Sequence, residues 1–181
     1  MYTITSTLVQ KEMHIIEHQL NDLSFVEDFK TLIYNNISDW SYKTNVKGKM
    51  TNLDFFCKNK VLRDILTKCN EPIQYISKNT VGLTEAWGNI LEGDEEVISH
   101  NHYGAKVCGI LYLTEGGSGT YFEQFNKTVK EKIGKIVFFS PEAIHCVLKN
   151  NLKNKRYTLA FNFYQCFSLE MQKLLKNNEP K

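Results

Sequence analysis

Three histidines are the residues of this chain whose type and spacing could hold a metal ion. His100 and His102 are two positions apart, and residues two apart in a strand lie on the same face, roughly 6 to 7 Å from each other. Both imidazoles can therefore reach one ion. Val97 and Ile98, which precede the pair, are residue types enriched in strands. His145 follows an apolar stretch and a Ser-Pro turn, so we expect it to approach from a strand distant in sequence.

A later strand carries residues suited to binding an anion. In the β-like run 156–164, alternation places a guanidinium and a hydroxyl among small residues on one face: Arg156, Thr158, Ala160 and Asn162. The opposite face is bulky and apolar: Tyr157, Leu159, Phe161 and Phe163. The guanidinium of an arginine is a rigid fork that donates two parallel hydrogen bonds to a planar anion. The first face therefore predicts a pocket that receives a carboxylate.

The elements that must position these residues are predicted to be helices first and strands second. Ser24 and Glu27 form a capping box at the start of an amphipathic helix that reaches about Asn36. A second helix is expected over 53–69, and Pro72 interrupts it or opens a further turn to about Ser77. The strands expected after these helices are 83–91, 96–102, 106–114, 119–125, 128–132, 135–139, 143–149 and 155–165.

Many short strands preceded by helices predict an α+β fold with a mainly β core. The expected architecture is a jelly roll, or double-stranded β-helix, buttressed by N-terminal helices. At 181 residues and 42% hydrophobic content, the chain fits one domain, 1–181. We expect helical support over about 1–80, a jelly-roll core over about 83–165 and a C-terminal helix over about 168–176.

Composition excludes several classes of protein. A formal net charge of +2 is too balanced to indicate a nucleic-acid surface. No apolar run reaches the roughly 20 residues that a membrane span needs, and residues 1–10 lack the layout of a signal peptide, so a cytoplasmic location is expected. Five cysteines without Cys-x-x-Cys spacing predict free thiols. Cys146 is expected in the core because it faces away from its neighbour His145, whereas His14 and His18 are expected on the surface.

Taken in order, the motifs resemble the iron(II) and 2-oxoglutarate-dependent oxygenases, and more narrowly the small members found in bacteria and phages. The resemblance covers about 83–164. The segments that carry it are Trp87-Gly88-Asn89, His100-Asn101-His102, Gly109–Leu113, Gly119–Glu123, Gly134 to His145 and Arg156-Tyr157-Thr158. Each segment is a weak signal alone, and their order and spacing give the likeness its weight.

The resemblance implies a role for each candidate site residue. His100 and His145 would be the histidine ligands of iron(II). Arg156 and Thr158 would bind the far carboxylate of 2-oxoglutarate, and Tyr112 would add a hydrogen bond to that cosubstrate. Asn89 and Asn162 would line the pocket. The implied reaction consumes O2, releases succinate and CO2, and hydroxylates a peptidyl or small-molecule substrate.

The chain departs from the family at position 102. The usual facial triad is two histidines and one carboxylate, and here the third residue is His102. If His102 binds iron, the centre carries an additional positive charge. If it does not, the candidate carboxylates are Asp94, Glu95, Glu96 and Glu123. Because imidazoles must be neutral to bind metal, iron affinity is expected to fall as the pH drops through about 6.5.

Two other readings stay open. A cupin-type three-histidine dioxygenase would use the same barrel without a keto acid, but the usual glutamate after His-x-His is absent from 103–107, and Arg156 would have no role. A non-catalytic binding module would keep the barrel and lose the chemistry.

Overall fold

The computed structural model of the chain describes residues 12–149 and 152–166. The described part contains three α-helices and two β-sheets. In chain order the elements are β1 (Ile15–Gln19), α1 (Val26–Asn35), β2 (Val46–Lys47), β3 (Lys49–Met50), α2 (Lys60–Lys68), α3 (Asn70–Ser77), β4 (Val81–Gly93), β5 (Glu96–His100), β6 (Val107–Tyr112), β7 (Thr120–Phe122), β8 (Lys127–Val129), β9 (Lys135–Phe139), β10 (His145–Val147) and β11 (Leu152–Gln165). The predicted mainly β architecture with helical support is confirmed.

The strands form two sheets of different size. The larger sheet has the order β1-β9-β6-β11-β4-β3, and the smaller has the order β2-β5-β10-β7-β8. Each recorded pairing of the described strands is antiparallel. The longest pairing joins β4 to β11 in the larger sheet.

The two faces of β11 separate as the alternation predicts. Its apolar face consists of Tyr157, Leu159, Phe161 and Phe163. These side chains join a core that also contains buried side chains of all three helices. Its other face lines a pocket: Arg156, Thr158, Ala160 and Asn162. The helices therefore cover one face of the larger sheet and leave the second face for the site.

Two glycines make room for large side chains on the covered face. A Cβ atom at Gly88 would lie 2.2 Å from Cγ1 of Ile33 on α1, and one at Gly109 would lie 2.1 Å from the Phe161 ring. Real side chains do not tolerate such contacts, so only glycine fits at these positions without movement.

The N-terminal third differs from the sequence prediction in two ways. It contains strands β1, β2 and β3, which the helical pattern did not indicate. The capping box is also wrong: Phe25 precedes α1 without a side-chain cap, and the Ser24 N–H donates to Oδ1 of Asp22 at 3.0 Å. The reason is local, because that bond places Ser24 in a turn ahead of the helix.

The second predicted helix begins later than expected. Residues 53–58 form turns, and α2 starts at Lys60 because the side chain of Asn59 accepts a hydrogen bond from the Leu62 N–H at 3.0 Å. Pro72 lies inside α3, in its first turn, where its missing N–H costs nothing. The expected C-terminal helix at about 168–176 lies outside the described residues.

The smaller expectations are mostly met. All five cysteines are free, and Cys146 is buried. His18 is exposed, whereas His14 is half-buried. Within the described residues, no helix has the length and apolar character needed to cross a membrane.

Candidate metal centre

The structure brings the three predicted histidines together at one end of the smaller sheet. His100 ends β5 and His145 begins β10, and the two are direct Cα partners across the strands. His102 follows β5 in a loop, and its backbone N–H donates to the Pro141 carbonyl at 2.9 Å. One ligand atom of each imidazole lies within 4.8 Å of the other two. Side chains distant in sequence can thus share one ion.

Backbone carbonyls set the tautomer of two of these rings. Nδ1 of His100 lies 2.8 Å from the Ile98 carbonyl, and Nδ1 of His145 lies 3.0 Å from the Ala143 carbonyl. A carbonyl only accepts, so each Nδ1 donates its proton and leaves the Nε2 lone pair free. His100 and His145 are therefore prepared to bind a metal.

His102 is held differently. The Asn162 amide nitrogen lies 3.3 Å from Nδ1 of His102 and also donates to Oε2 of Glu85 at 2.7 Å. The carboxylate fixes the amide nitrogen in place, so Nδ1 of His102 accepts a hydrogen bond and the ring proton sits on Nε2. His102 must give up this bond or change tautomer before Nε2 can bind an ion.

All three imidazoles are neutral in the metal-free protein. Burial lowers the pKa of each ring, and burial together with the nearby His100 lowers the pKa of His102 to about 3. Neutral rings are the form that binds metal. The expected loss of affinity near pH 6.5 is therefore displaced to lower pH.

The predicted anion-binding arginine lies in a buried ion pair. Arg156 on β11 is 3% exposed, and its Nε donates to Oε1 of Glu131, whose side chain is 1% exposed. Glu131 lies between β8 and β9, and no motif in the sequence pointed to it. Among the described residues, Arg156 Nη2 and Glu131 Oε2 are buried without a hydrogen-bond partner. Part of the guanidinium fork thus remains available to a ligand.

Thr158 and Tyr112 adjoin this pair. Thr158 is 2% exposed on the same face of β11 as Arg156. The Tyr112 hydroxyl donates to Oγ1 of Thr120 at 2.8 Å, and its ring lies 5.6 Å from the Arg156 guanidinium carbon. Burial raises the pKa of Tyr112 to about 12, so the phenol stays protonated. In this arrangement the Tyr112 hydroxyl donates its hydrogen bond to Thr120, and the Tyr112 ring packs near the Arg156 guanidinium.

A pocket between the sheets joins the histidines to Arg156. Four of its polar atoms are buried without a partner in the described part of the chain: Trp87 Nε1, Asn89 Oδ1, Asn162 Oδ1 and Arg156 Nη2. Buried polar atoms without partners are rare, and each costs about 1 to 3 kcal/mol. Their gathering around one pocket suits a polar ligand. The side chains predicted to line it, Asn89 and Asn162, do so.

The alternative carboxylate ligands are not in the metal-binding group. Among residues 12–149 and 152–166, that group contains histidines alone. Glu95 accepts hydrogen bonds from the Tyr42 hydroxyl and the Glu92 N–H, and Glu96 pairs with Lys149. Glu123 accepts from Ser99, and Asp94 is exposed. Within the described residues, none of these acids lies with the histidines in the metal-binding group.

Comparison with known proteins gives a likeness in structure and none in sequence. No family model matches the chain, and no curated protein matches it. The viral collagen prolyl hydroxylase vCPH from Paramecium Bursaria Chlorella virus-1, in complex with 2-oxoglutarate, aligns with a TM-score of 0.65 and 13% identity, over 86% of this chain and 97% of that one. HygX from Streptomyces hygroscopicus, with nickel and 2-oxoglutarate bound, gives 0.67 and 13%, over 86% and 83%.

A third similar structure is a 2OG-Fe(II) oxygenase family oxidoreductase from Burkholderia pseudomallei. It aligns with a TM-score of 0.61 and 9% identity, over 83% of this chain and 84% of that one. At such low identities the likeness shows the fold alone. The chain has the fold of the iron(II) and 2-oxoglutarate-dependent oxygenases.

Proposed function

We propose that this chain is a non-haem iron(II) and 2-oxoglutarate-dependent dioxygenase. It hydroxylates a peptidyl or small-molecule substrate, releases succinate and CO2, and forms a single domain whose two sheets make a double-stranded β-helix. The observation that carries the proposal is one pocket lined by three imidazoles and by buried Arg156, whose Nη2 has no partner among the described residues. The shared fold supports it.

The donor set fits the metal. Imidazole nitrogens suit iron(II), and His100 and His145 already present Nε2 lone pairs. His102 would be the third ligand. When bound, iron(II) and 2-oxoglutarate supply the oxidation of a substrate C–H bond by O2.

The other residues bind and orient. Arg156 Nη2 and the Thr158 hydroxyl would hold the far carboxylate of 2-oxoglutarate, because both lie on one buried face of β11. Glu131 fixes the guanidinium through Nε, so the fork cannot turn away from the pocket. The walls at Phe139 and Val147 exclude water from the same space.

The three histidines alone would also suit a cupin-type dioxygenase. That reading leaves a buried arginine with an unpaired nitrogen unexplained, since such an enzyme needs no keto acid. The arginine therefore favours a 2-oxo acid as cosubstrate.

Anaerobic titration of the protein with iron(II) and then 2-oxoglutarate tests the proposal. The wild type should develop the weak visible band of the iron chelate. Arg156→Met should keep iron and require far more 2-oxoglutarate, whereas Arg63→Met, on the exposed face of α2, should behave as wild type. Iron binding without a response to the keto acid would support a cupin instead. If the protein binds neither iron(II) nor the keto acid, the non-catalytic binding module is the reading that stands.

A further inference from the structure

We infer that the substrate presents a cationic nitrogen, an ammonium or a guanidinium, to Glu85 at the mouth of the pocket. This inference rests on the proposed function and adds the class of substrate. The mouth is the opening beside the histidines that is lined by Leu53, Glu85, Trp87, Tyr103 and Tyr164.

Glu85 is held in place by two donors. It lies on β4 directly opposite Asn162 on β11, and its Oε2 accepts from the Asn162 amide at 2.7 Å and from the Tyr164 hydroxyl at 3.2 Å. Burial and the neighbouring Glu85 raise the pKa of Tyr164 to about 12, so the phenol stays a donor. Both donors use the same oxygen. The second oxygen, Oε1, has no partner recorded in the described residues.

Glu85 is the only carboxylate, lysine or arginine among the described residues that line the mouth. Glu85 also takes part in no ion pair with a described residue. The chain has 22 Lys and Arg, yet half-buried Glu85, in the mouth beside His100 and His102, has no cationic partner among the described residues. Burying a carboxylate without a partner is costly, so a ligand is expected to supply one.

Aromatic rings surround this carboxylate. Trp87, Tyr103 and Tyr164 line the mouth together with Glu85, and Tyr103 is 80% exposed although it follows His102 directly. Aromatic faces attract cations, and a fixed carboxylate adds a charge partner. An anionic substrate would be repelled by Glu85, and a neutral donor would bond to Oε1 without the added attraction of opposite charges. The mouth therefore favours a positive group.

Saturation-transfer NMR in the presence of 2-oxoglutarate, which would occupy the Arg156 site, tests this selection with three probes of equal length: n-hexylammonium, n-hexanol and hexanoate. The wild type should bind the ammonium at least about tenfold more tightly than the alcohol or the carboxylate, a difference of about 1.4 kcal/mol. Glu85→Gln should abolish the preference. Glu71→Gln, an exposed acid on α3, should leave it unchanged.

A second variant guards against a folding defect in Glu85→Gln. Tyr103→Leu changes an exposed ring that supports nothing else recorded in the described structure, and it should weaken ammonium binding without affecting the alcohol. Equal binding of the three probes by the wild type, or an undiminished preference in Glu85→Gln, would overturn the inference. If the preference is present but the iron and 2-oxoglutarate band is absent, the proposed function fails and the cation site stands.

Discussion

Replacing Arg156 should do more than remove a ligand for the keto acid. Arg156 and Glu131 are buried to 3% and 1% exposure, so Arg156→Met leaves an uncompensated carboxylate inside the protein. Breaking a buried pair in this way costs about 3 to 5 kcal/mol, out of a total stability of about 5 to 15 kcal/mol. The variant is expected to lose a large part of its stability as well as its affinity for 2-oxoglutarate.

The double variant separates these two effects. Glu131→Leu with Arg156→Met replaces both charges by apolar side chains, and such replacement of a buried pair is often neutral or stabilising. With a urea m-value of about 2 kcal/mol/M, the single variant should lower the unfolding midpoint by roughly 1.5 to 2.5 M. The double variant should recover most of that loss and still fail to bind 2-oxoglutarate.

Urea unfolding monitored by circular dichroism measures the stability of the single and the double variant, and the anaerobic titration measures their 2-oxoglutarate binding. Glu92→Gln is the matched control, because its pair with Lys49 is about a third exposed and is expected to contribute 0 to 1 kcal/mol. A double variant as unstable as Arg156→Met would show that the pair is not the source of the loss. Restored 2-oxoglutarate binding in the double variant would show that Arg156 is not its receptor.

Three further results follow from the site and the core. His145→Ala should reduce iron(II) affinity more than His102→Ala, measured by metal content after dialysis, because His145 presents a free Nε2 and His102 does not; equal losses would contradict the tautomer assignment. The metal-free protein should become less stable as the pH falls from about 6.5 towards 3. The histidines of the unfolded chain bind protons in this range, whereas in the folded protein the buried histidines do not, since the pKa of His102 is lowered to about 3. A flat series of urea midpoints would refute this. Gly109→Ala should cost about 1 to 3 kcal/mol in the same assay because its Cβ would meet the Phe161 ring, and an unchanged midpoint would mean that the ring moves freely.

The sequence predicted the parts of the fold that depend on local alternation. Strand β11 shows this, since its apolar face joins the helical core and its polar face lines the pocket. The convergence of His145 with His100 was expected from the order of the motifs, because β5 and β10 lie far apart in sequence. The alternation is encoded within a few residues of each position, whereas the convergence is not.

Other features depend on partners that the local sequence does not name. The short strands β2 and β3 exist because β5 and β4 pair with them, and β1 exists because it completes the edge of the larger sheet at β9. Glu131 lies in a polar turn and looks like any surface acid, yet it is buried against Arg156. Asn59 caps α2, although the sequence prediction began that helix at 53. The Ser24 pattern failed as a cap because Ser24 lies in a turn ahead of α1.

The pairing of Glu131 with Arg156 also bears on the histidine at position 102. An ordinary facial triad places a carboxylate on the metal, whereas the neutral ring of His102 brings no charge. Iron(II) and Arg156 together carry three positive charges, which a 2-oxoglutarate dianion and Glu131 would balance. With a carboxylate on the metal and no Glu131 the balance would be the same. In the proposed complex, Glu131 would therefore supply the negative charge that an ordinary facial triad takes from its carboxylate ligand. An aspartate at position 102 would leave the filled pocket negative unless Glu131 lost its own charge.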